Sequence, residues 1–114
     1  MPRACLEVSV QDVQPYLRFV SELRRRIVER GGLVMPAGRE PGWLLAALGN
    51  ALLSLYLKGT MTPLTPDMLA GHSGIRACVV IDGGARDVVE AASIVYEAGA
   101  ATGVKMHLVS EKQC

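Results

Sequence analysis

The residues best suited to chemistry in this chain surround two glycine-containing joints. In the first, "VVIDGGARDVVEAASIV" at 79–95, an apolar run meets Gly83 and Gly84 and then a segment with helical spacing. Free backbone N–H groups at the start of a helix attract anions, and glycines let a ligand approach the backbone. Arg86 adds a positive charge beside them. This arrangement is typical of phosphate-binding sites, although neither GxGxxG nor GxxxxGK[ST] is present.

Two carboxylates at the same joint favour a different interpretation. Asp82 and Asp87 flank the glycines and would repel a phosphate. Either side chain can instead stabilise the start of the helix by accepting a hydrogen bond from a backbone N–H. From the residues alone, a tight turn and an anion site both remain open.

A second joint, "GREPG" at 38–42, precedes another apolar segment. Pro41 suits the first turn of a helix, where its missing N–H does no harm, so we predict a helix over 42–58. If the two preceding strands are parallel, both joints lie at the same edge of the sheet. Arg39 and Arg86 would then form one anion site above two helix N-termini.

The elements that position these joints follow from hydrophobic spacing. The predicted strands cover 5–10, 33–38, 77–84 and 104–110, and the predicted helices cover 11–30, 42–58 and 85–99. Strands that alternate with helices favour parallel pairs joined by crossovers. We therefore predict an α/β fold, a two-layer β-α-β-α-β-α-β sandwich with a mixed sheet, formed by residues 1–114 as a single domain.

The predicted helix at 43–57 is apolar around nearly its whole circumference. Only Asn50, Ser54 and Lys58 form a polar stripe along it. A helix of this kind needs cover on two sides. The sheet provides one side, and either the first helix or a second subunit must provide the other.

The overall composition restricts the classes of function. Half of the 114 residues are hydrophobic and the formal net charge is only +1. Such a chain folds, and it has no overall attraction to nucleic acid or anionic lipid. Nucleic-acid binding therefore requires a local basic patch. Arg24, Arg25 and Arg30 on the first helix are candidates for it, although Glu22 can pair with Arg26 there.

The cysteines and apolar segments indicate the compartment. Cys5, Cys78 and Cys114 lie far apart, and no CxxC or Cys/His spacing suggests a metal site. An odd number of cysteines without a secretion signal predicts reduced thiols and a cytoplasmic location. The apolar run at 43–57 is too short to span a membrane. We therefore expect no metal, no cofactor and no membrane association.

The irregular segment at 59–76 is the one place that suggests an enzyme. It contains His72 and Asp67, and a connection of this length inside a compact domain is usually functional or mobile. A catalytic triad is recognised by its geometry, however, and His72 in "AGHSG" also suits a polar turn. We predict no catalytic residues and treat a small nucleotide- or metabolite-binding enzyme as an alternative.

Taken together, "VMPAGREPGWLLAAL", "ARDVVEAASIV" and the final "VKMHLVS" with its "EKQ" end resemble the Alba superfamily of small archaeal nucleic-acid-binding proteins, whose related branch includes ribonuclease P protein subunits. The resemblance covers 33–112, with 59–76 as an insertion. Residues 1–32 add an N-terminal strand and an arginine-rich helix to this Alba-like core, 33–114.

The resemblance implies a non-catalytic protein that binds RNA or DNA, commonly as a homodimer. Arg39 occupies the place of a lysine that contacts nucleic acid, Pro41 matches the proline that follows, and Glu40 replaces a second lysine. Arg86 lies near the family's basic segment, and the long basic arm of the family is missing. A dimer would cover the apolar helix at 43–57. A structural or protein-interaction subunit without nucleic-acid binding is the alternative.

Overall fold

The computed structural model describes residues 2–35, 44–57 and 75–114. The elements in these ranges are β1 (Arg3–Val10), α1 (Val13–Glu29), β2 (Leu33–Val34), β3 (Leu44–Leu48), β4 (Ala51–Leu57), β5 (Ile75–Gly83), α2 (Ala85–Thr102) and β6 (Lys105–Leu108), followed by one 3-10 turn (Glu111–Gln113). The loop predicted at 59–76 therefore lies almost wholly outside the described residues, together with His72 and Asp67.

The six strands form one sheet in the order β2-β3-β4-β5-β1-β6, and every neighbouring pair is antiparallel. The prediction of an α/β domain is confirmed, but the predicted mixed sheet with parallel pairs is wrong for these strands. Parallel pairing needed a helical crossover at 42–58. The chain reverses direction there instead.

The predicted helix over 42–58 is wrong because residues 44–57 form the hairpin β3–β4. Gly49 and Asn50 make its two-residue turn, and Gly49 has a φ of +57°, which glycine adopts without strain. Every second residue points inward: Leu44, Ala46, Leu48, Ala51, Leu53, Leu55 and Leu57 are all buried. Burial of every second side chain is the pattern of a β-strand. With this pattern the apolar segment buries one face within its own domain.

Both helices pack against one face of the sheet, and the core lies between the layers. Along α1 the buried residues are Tyr16, Phe19, Val20, Leu23 and Ile27. Val13 and Leu17, nearer the start of the helix, are only partly buried. Burial of each such large side chain stabilises the fold by about 1.5–3 kcal/mol.

If β2 and β3, which come between α1 and β4 in the chain, are set aside, the other elements have the order βαββαβ. The four strands of this set lie in the order β6-β1-β5-β4. This is the split βαβ, or ferredoxin-like, arrangement. The strands β2 and β3 extend the sheet beyond β4. Because both helices lie on one side, the opposite side of the sheet, which we call the helix-free face, receives every second side chain of each strand.

The helix-free face is crossed by the end of the chain. After β6, the Val109 N–H donates to the Cys5 carbonyl oxygen at 2.9 Å. The chain then passes over β1, and Cys114 forms a disulfide with Cys78 on β5. The prediction that all three cysteines are reduced is therefore wrong for this pair. Cys5 remains a free thiol and is buried.

Candidate nucleic-acid interface

The joint between β5 and α2 presents an open helix N-terminus. Gly84 is the N-cap residue, and no side chain caps the helix there. The first helical hydrogen bond runs from the Val88 N–H to the Gly84 carbonyl, so the N–H groups of the first turn before it have no helical acceptor. A Cβ added at Gly84 would meet no described atom within 4 Å, so the backbone is open on that side.

Gly83 has a different, structural role at this joint. It pairs with Ala51 across the sheet and has a φ of +156°. A Cβ at Gly83 would collide with the backbone of Asn50 and Ala51. The glycine therefore allows β5 to end against the β3–β4 turn, and this close approach fixes where α2 begins.

Arg86 projects from the first turn of α2 and is exposed. No carboxylate pairs with it in the part of the chain that the structure describes. A guanidinium next to free N–H groups favours the binding of an anion more strongly than either feature alone. Of the predicted site residues, Gly83, Gly84 and Arg86 are thus brought together.

The two carboxylates that oppose an anion site are both engaged elsewhere. Arg3 Nε donates to Asp82 Oδ1 at 2.5 Å, and this hydrogen bond is the main reason that the pKa of Arg3 is raised. Asp87 Oδ2 accepts the Asn50 N–H at 2.8 Å and so stabilises the β3–β4 turn. Neither side chain caps α2, so the predicted capping role is wrong for both.

The second predicted joint is not followed by a helix in the described residues. Residues 38–42, with Arg39, lie outside the described residues, but the strands on either side are described. Leu48 and Ala51 lie at the Gly83 end of the sheet, whereas Leu44 pairs with Leu55 at the far end. β3 begins at that far end, and it is a strand rather than the predicted helix. The expected pair of helix N-termini on one edge is therefore wrong.

The arginines of α1 are engaged in a charge network that joins the two helices. Arg25 pairs with Glu22 and with Glu29, and Arg26 pairs with Glu22 at 2.8 Å. Arg26 and Arg30 reach Glu97 on α2 at 3.1 and 3.3 Å, and Arg30 also lies 3.9 Å from Glu90. Hydrogen bonds from Arg25 and Arg26 lower the pKa of Glu22.

This network determines whether the arginines of α1 form a basic patch. Three of its arginines face four glutamates, so the network is formally negative. The predicted pairing of Glu22 with Arg26 is confirmed. Arg24 is only partly exposed. The predicted contribution of Arg25 and Arg30 to phosphate binding would therefore require them to leave carboxylates of their own chain.

Sequence reasoning missed the convergence of cysteines on the helix-free face. The signal was available in part, since Cys5 and Cys78 occupy outward positions of two strands. Their adjacency depends on the β1–β5 pairing, and the prediction of a mixed sheet did not specify which strands are neighbours. On the same face lie Tyr56 of β4, which pairs with Cys78 of β5, and the exposed His107 of β6.

Within the described ranges, neither helix combines the length and apolar character needed to cross a lipid bilayer. Those ranges also hold no cluster of three or more side chains suited to bind a metal ion. The chain matches no protein-family model, no curated protein and no solved structure.

Proposed function

We propose that this chain is a non-catalytic nucleic-acid-binding domain that contacts phosphates at the start of α2. The observation that carries this proposal is the exposed Arg86, which has no carboxylate partner among the described residues, beside the N-terminus of α2, where the N-cap Gly84 has no side chain to cap the helix. The pairing of Asp82 with Arg3 offsets one of the two negative charges at the joint, while Asp87 is held against the Asn50 N–H and keeps its charge.

The charge distribution sets the expected strength of binding. The chain carries a net charge of only +1, and the arginine network of α1 is neutralised by glutamates. A site with one or two phosphate contacts releases few counterions. The expected slope of log K against log salt is therefore shallow, about −1 to −2. Binding is then measurable at low salt and weak at physiological salt.

The resemblance to the Alba superfamily adds limited support. It rested partly on a leucine-rich helix, and residues 44–57 form a hairpin instead. The basic joint segment with Arg39 lies outside the described residues. The geometry at the start of α2 therefore supports phosphate recognition independently of the family, and it does not select between RNA and DNA.

The test is a fluorescence-anisotropy titration of labelled single-stranded RNA and duplex DNA at low and moderate salt. Arg86→Ala should weaken binding about three- to tenfold at low salt and reduce the salt slope by about one. Arg18→Ala is the matched control, because Arg18 is also exposed and has no carboxylate partner in the described ranges. Absence of binding by the unaltered protein at low salt, or equal losses in both variants, would contradict the proposal.

A second candidate function, a protein-interaction subunit, is favoured by one observation. On the helix-free face, Leu33, Ala47 and Leu52 form a row across β2, β3 and β4, and the two leucines are 64% and 59% exposed. An exposed apolar row of this kind often marks a contact surface. The apolar helix proposed for a homodimer does not exist, so this row is the better place to seek a dimer contact.

Sedimentation velocity discriminates between the two candidates. If the leucine row forms a dimer contact, Leu52→Ser should convert a dimer into a monomer, whereas Arg86→Ala should leave the assembly unchanged. Nucleic-acid affinity lost in Arg86→Ala but retained in Leu52→Ser would favour the first candidate.

A further inference from the structure

All three cysteines of the chain meet on the helix-free face. Cys5 on β1 lies opposite Val80 of β5, and Cys78 is two residues earlier on β5 and so points to the same side. Cys114 is bonded to Cys78. The free Cys5 is only 4% exposed. A buried thiol therefore lies one diagonal position away from a disulfide on the same sheet surface.

Residues 109–114, which we call the C-terminal strap, are held over this surface at three places. The Val109 N–H bonds to the Cys5 carbonyl at 2.9 Å, Glu111 lies 3.8 Å from Arg3, and Cys114 is bonded to Cys78. An exposed ion pair at such a distance stabilises little. The disulfide is therefore the main restraint on the end of the strap.

A half-open cavity of about 420 Å³ lies on the helix-free face and is lined by both the sheet and the strap. Its lining includes Cys5, Leu45, Tyr56 and Val80 from the sheet, and Glu111 and Cys114 from the strap. The strap thus forms one wall of this cavity, and Cys5, which also lines it, is buried. Burial raises the pKa of the Cys5 thiol, so only a small fraction of it is the reactive thiolate at neutral pH while the strap is in place.

We propose that the Cys78–Cys114 disulfide is a redox latch that closes the C-terminal strap over the cavity and Cys5. Reduction by a dithiol gives thiols on Cys78 and Cys114 and leaves the reductant as a disulfide, so two electrons and two protons enter the protein. The strap is then free to leave the sheet. The cavity opens, and Cys5 becomes accessible.

The same geometry provides an exchange step that needs no external oxidant. The Cys5 thiolate attacks Sγ of Cys114, the Cys5–Cys114 bond forms, the Cys78–Cys114 bond breaks, and Cys78 leaves as a thiolate that takes up the proton lost by Cys5. Cys5 and Cys78 cannot join directly, because diagonal positions on paired strands are about 7–8 Å apart, beyond the usual Cα separation for a disulfide. Cys114 is therefore the sulfur that can bridge to either strand.

Thiol labelling of the whole chain with a maleimide, read by mass spectrometry, tests the latch. Without reductant, the native protein should take up no rapid label. After treatment with dithiothreitol, Cys78 and Cys114 should label quickly, and the labelling rate of Cys5 should rise about tenfold or more. The far-ultraviolet circular dichroism and a cooperative thermal transition should persist. Rapid labelling of Cys78 and Cys114 before reduction would overturn the proposal.

Two variants separate a latch from a disulfide that the fold requires. Cys114→Ser should label at Cys5, without reductant, at the rate of the reduced protein. Cys78→Ser should form a Cys5–Cys114 disulfide under mild oxidation, seen as a loss of two hydrogens in mass and mapped by proteolysis. The latch is refuted if reduction or Cys114→Ser abolishes the cooperative transition, or if Cys5 stays as slow to label as in the oxidised protein.

Discussion

On the helix-covered face, the inward positions of the central strands carry only apolar side chains, such as Leu6 and Val8 on β1 and Val79 and Ile81 on β5. On the helix-free face, the alternate positions of the same strands carry arginine, aspartate, glutamate, serine and cysteine. Because side chains alternate along a strand, one backbone serves both faces. Stability is thus assigned to one set of positions, and reactivity and charge to the other.

The charges of the helix-free face are largely satisfied among themselves. Asp82 bonds to Arg3, and Arg76 Nη2 lies 3.4 Å from Glu7 Oε1. Glu7 is a buried charged residue on this face, with an exposed fraction of only 6%. Lys105 on this face and Arg86 at the start of α2 are both exposed and have no carboxylate partner among the described residues.

The largest contrast between the faces is expected from leucine truncation. Leu23→Ala removes a side chain that is fully buried between α1 and the sheet, and it should lower the free energy of unfolding by about 2–5 kcal/mol. Leu52→Ala on the helix-free face should change it by at most about 0.5 kcal/mol. Urea denaturation followed by circular dichroism measures both. Equal losses would mean that the helix-free face is also core.

A second contrast lies at the joint where β5 leaves the sheet. Gly83→Ala places a Cβ against the Asn50 and Ala51 backbone at a positive φ, so we expect a loss of about 2–3 kcal/mol. Gly84→Ala meets open space and should cost about 1 kcal/mol or less. The same urea titration compares the pair, and a larger loss at Gly84 would contradict the packing described here.

A smaller difference is expected between the two aspartates of the joint. Asp87→Ala removes the acceptor of the Asn50 N–H and should lower the free energy of unfolding by about 1–2 kcal/mol. Asp82→Ala breaks an ion pair whose side chains are both substantially exposed, and it should cost less than about 1 kcal/mol. Thermal unfolding at neutral pH ranks the two, and the reverse order would sink this assignment.

The smallest effect concerns the pH dependence of the network between α1 and α2. The pKa of Glu22 is lowered below its ordinary value of 4.5 by hydrogen bonds from Arg25 and Arg26. A carboxyl group whose folded pKa is lowered stabilises the protein above the unfolded pKa and loses that stabilisation as the pH falls through the folded pKa. The melting-temperature advantage over Glu22→Gln should therefore be present at neutral pH and shrink below about pH 4.5. A difference that is constant from neutral to acid pH would contradict it.

The sequence predicted the two long helices and the strands β1, β5 and β6, because their periodic patterns are long or flanked by glycine. It did not predict the hairpin β3–β4. In "LLAALGNALLSLYL" nearly every residue is apolar, so periods of 2 and 3.6 fit equally well. The decisive signal was the pair Gly49-Asn50, a two-residue hairpin turn inside the run. Because the hairpin was not predicted, neither the strand order nor the proximity of Cys5 and Cys78 could be predicted.

The candidate site was predicted only in part, because the sequence reveals the order of neighbouring elements but not which distant segments meet. The local joint of Gly83, Gly84 and Arg86 depends on a strand followed by a helix, and that order is visible in the residues. The partnership with Arg39 depended on strand direction, which sequence does not report. The carboxylate partners of Arg25, Arg26 and Arg30 came partly from α2, at a distance along the chain that no local pattern reveals.

The two outer strands of the sheet are its shortest. β2 has two residues and β6 has four, of which Lys105 and His107 point to the helix-free side. Short edge strands with polar side chains offer few unpaired backbone N–H and C=O groups to a strand of another molecule. They therefore disfavour extension of the sheet from one molecule to the next. If two copies of this protein associate, we therefore expect contact between sheet faces through their side chains rather than hydrogen bonding between edge strands.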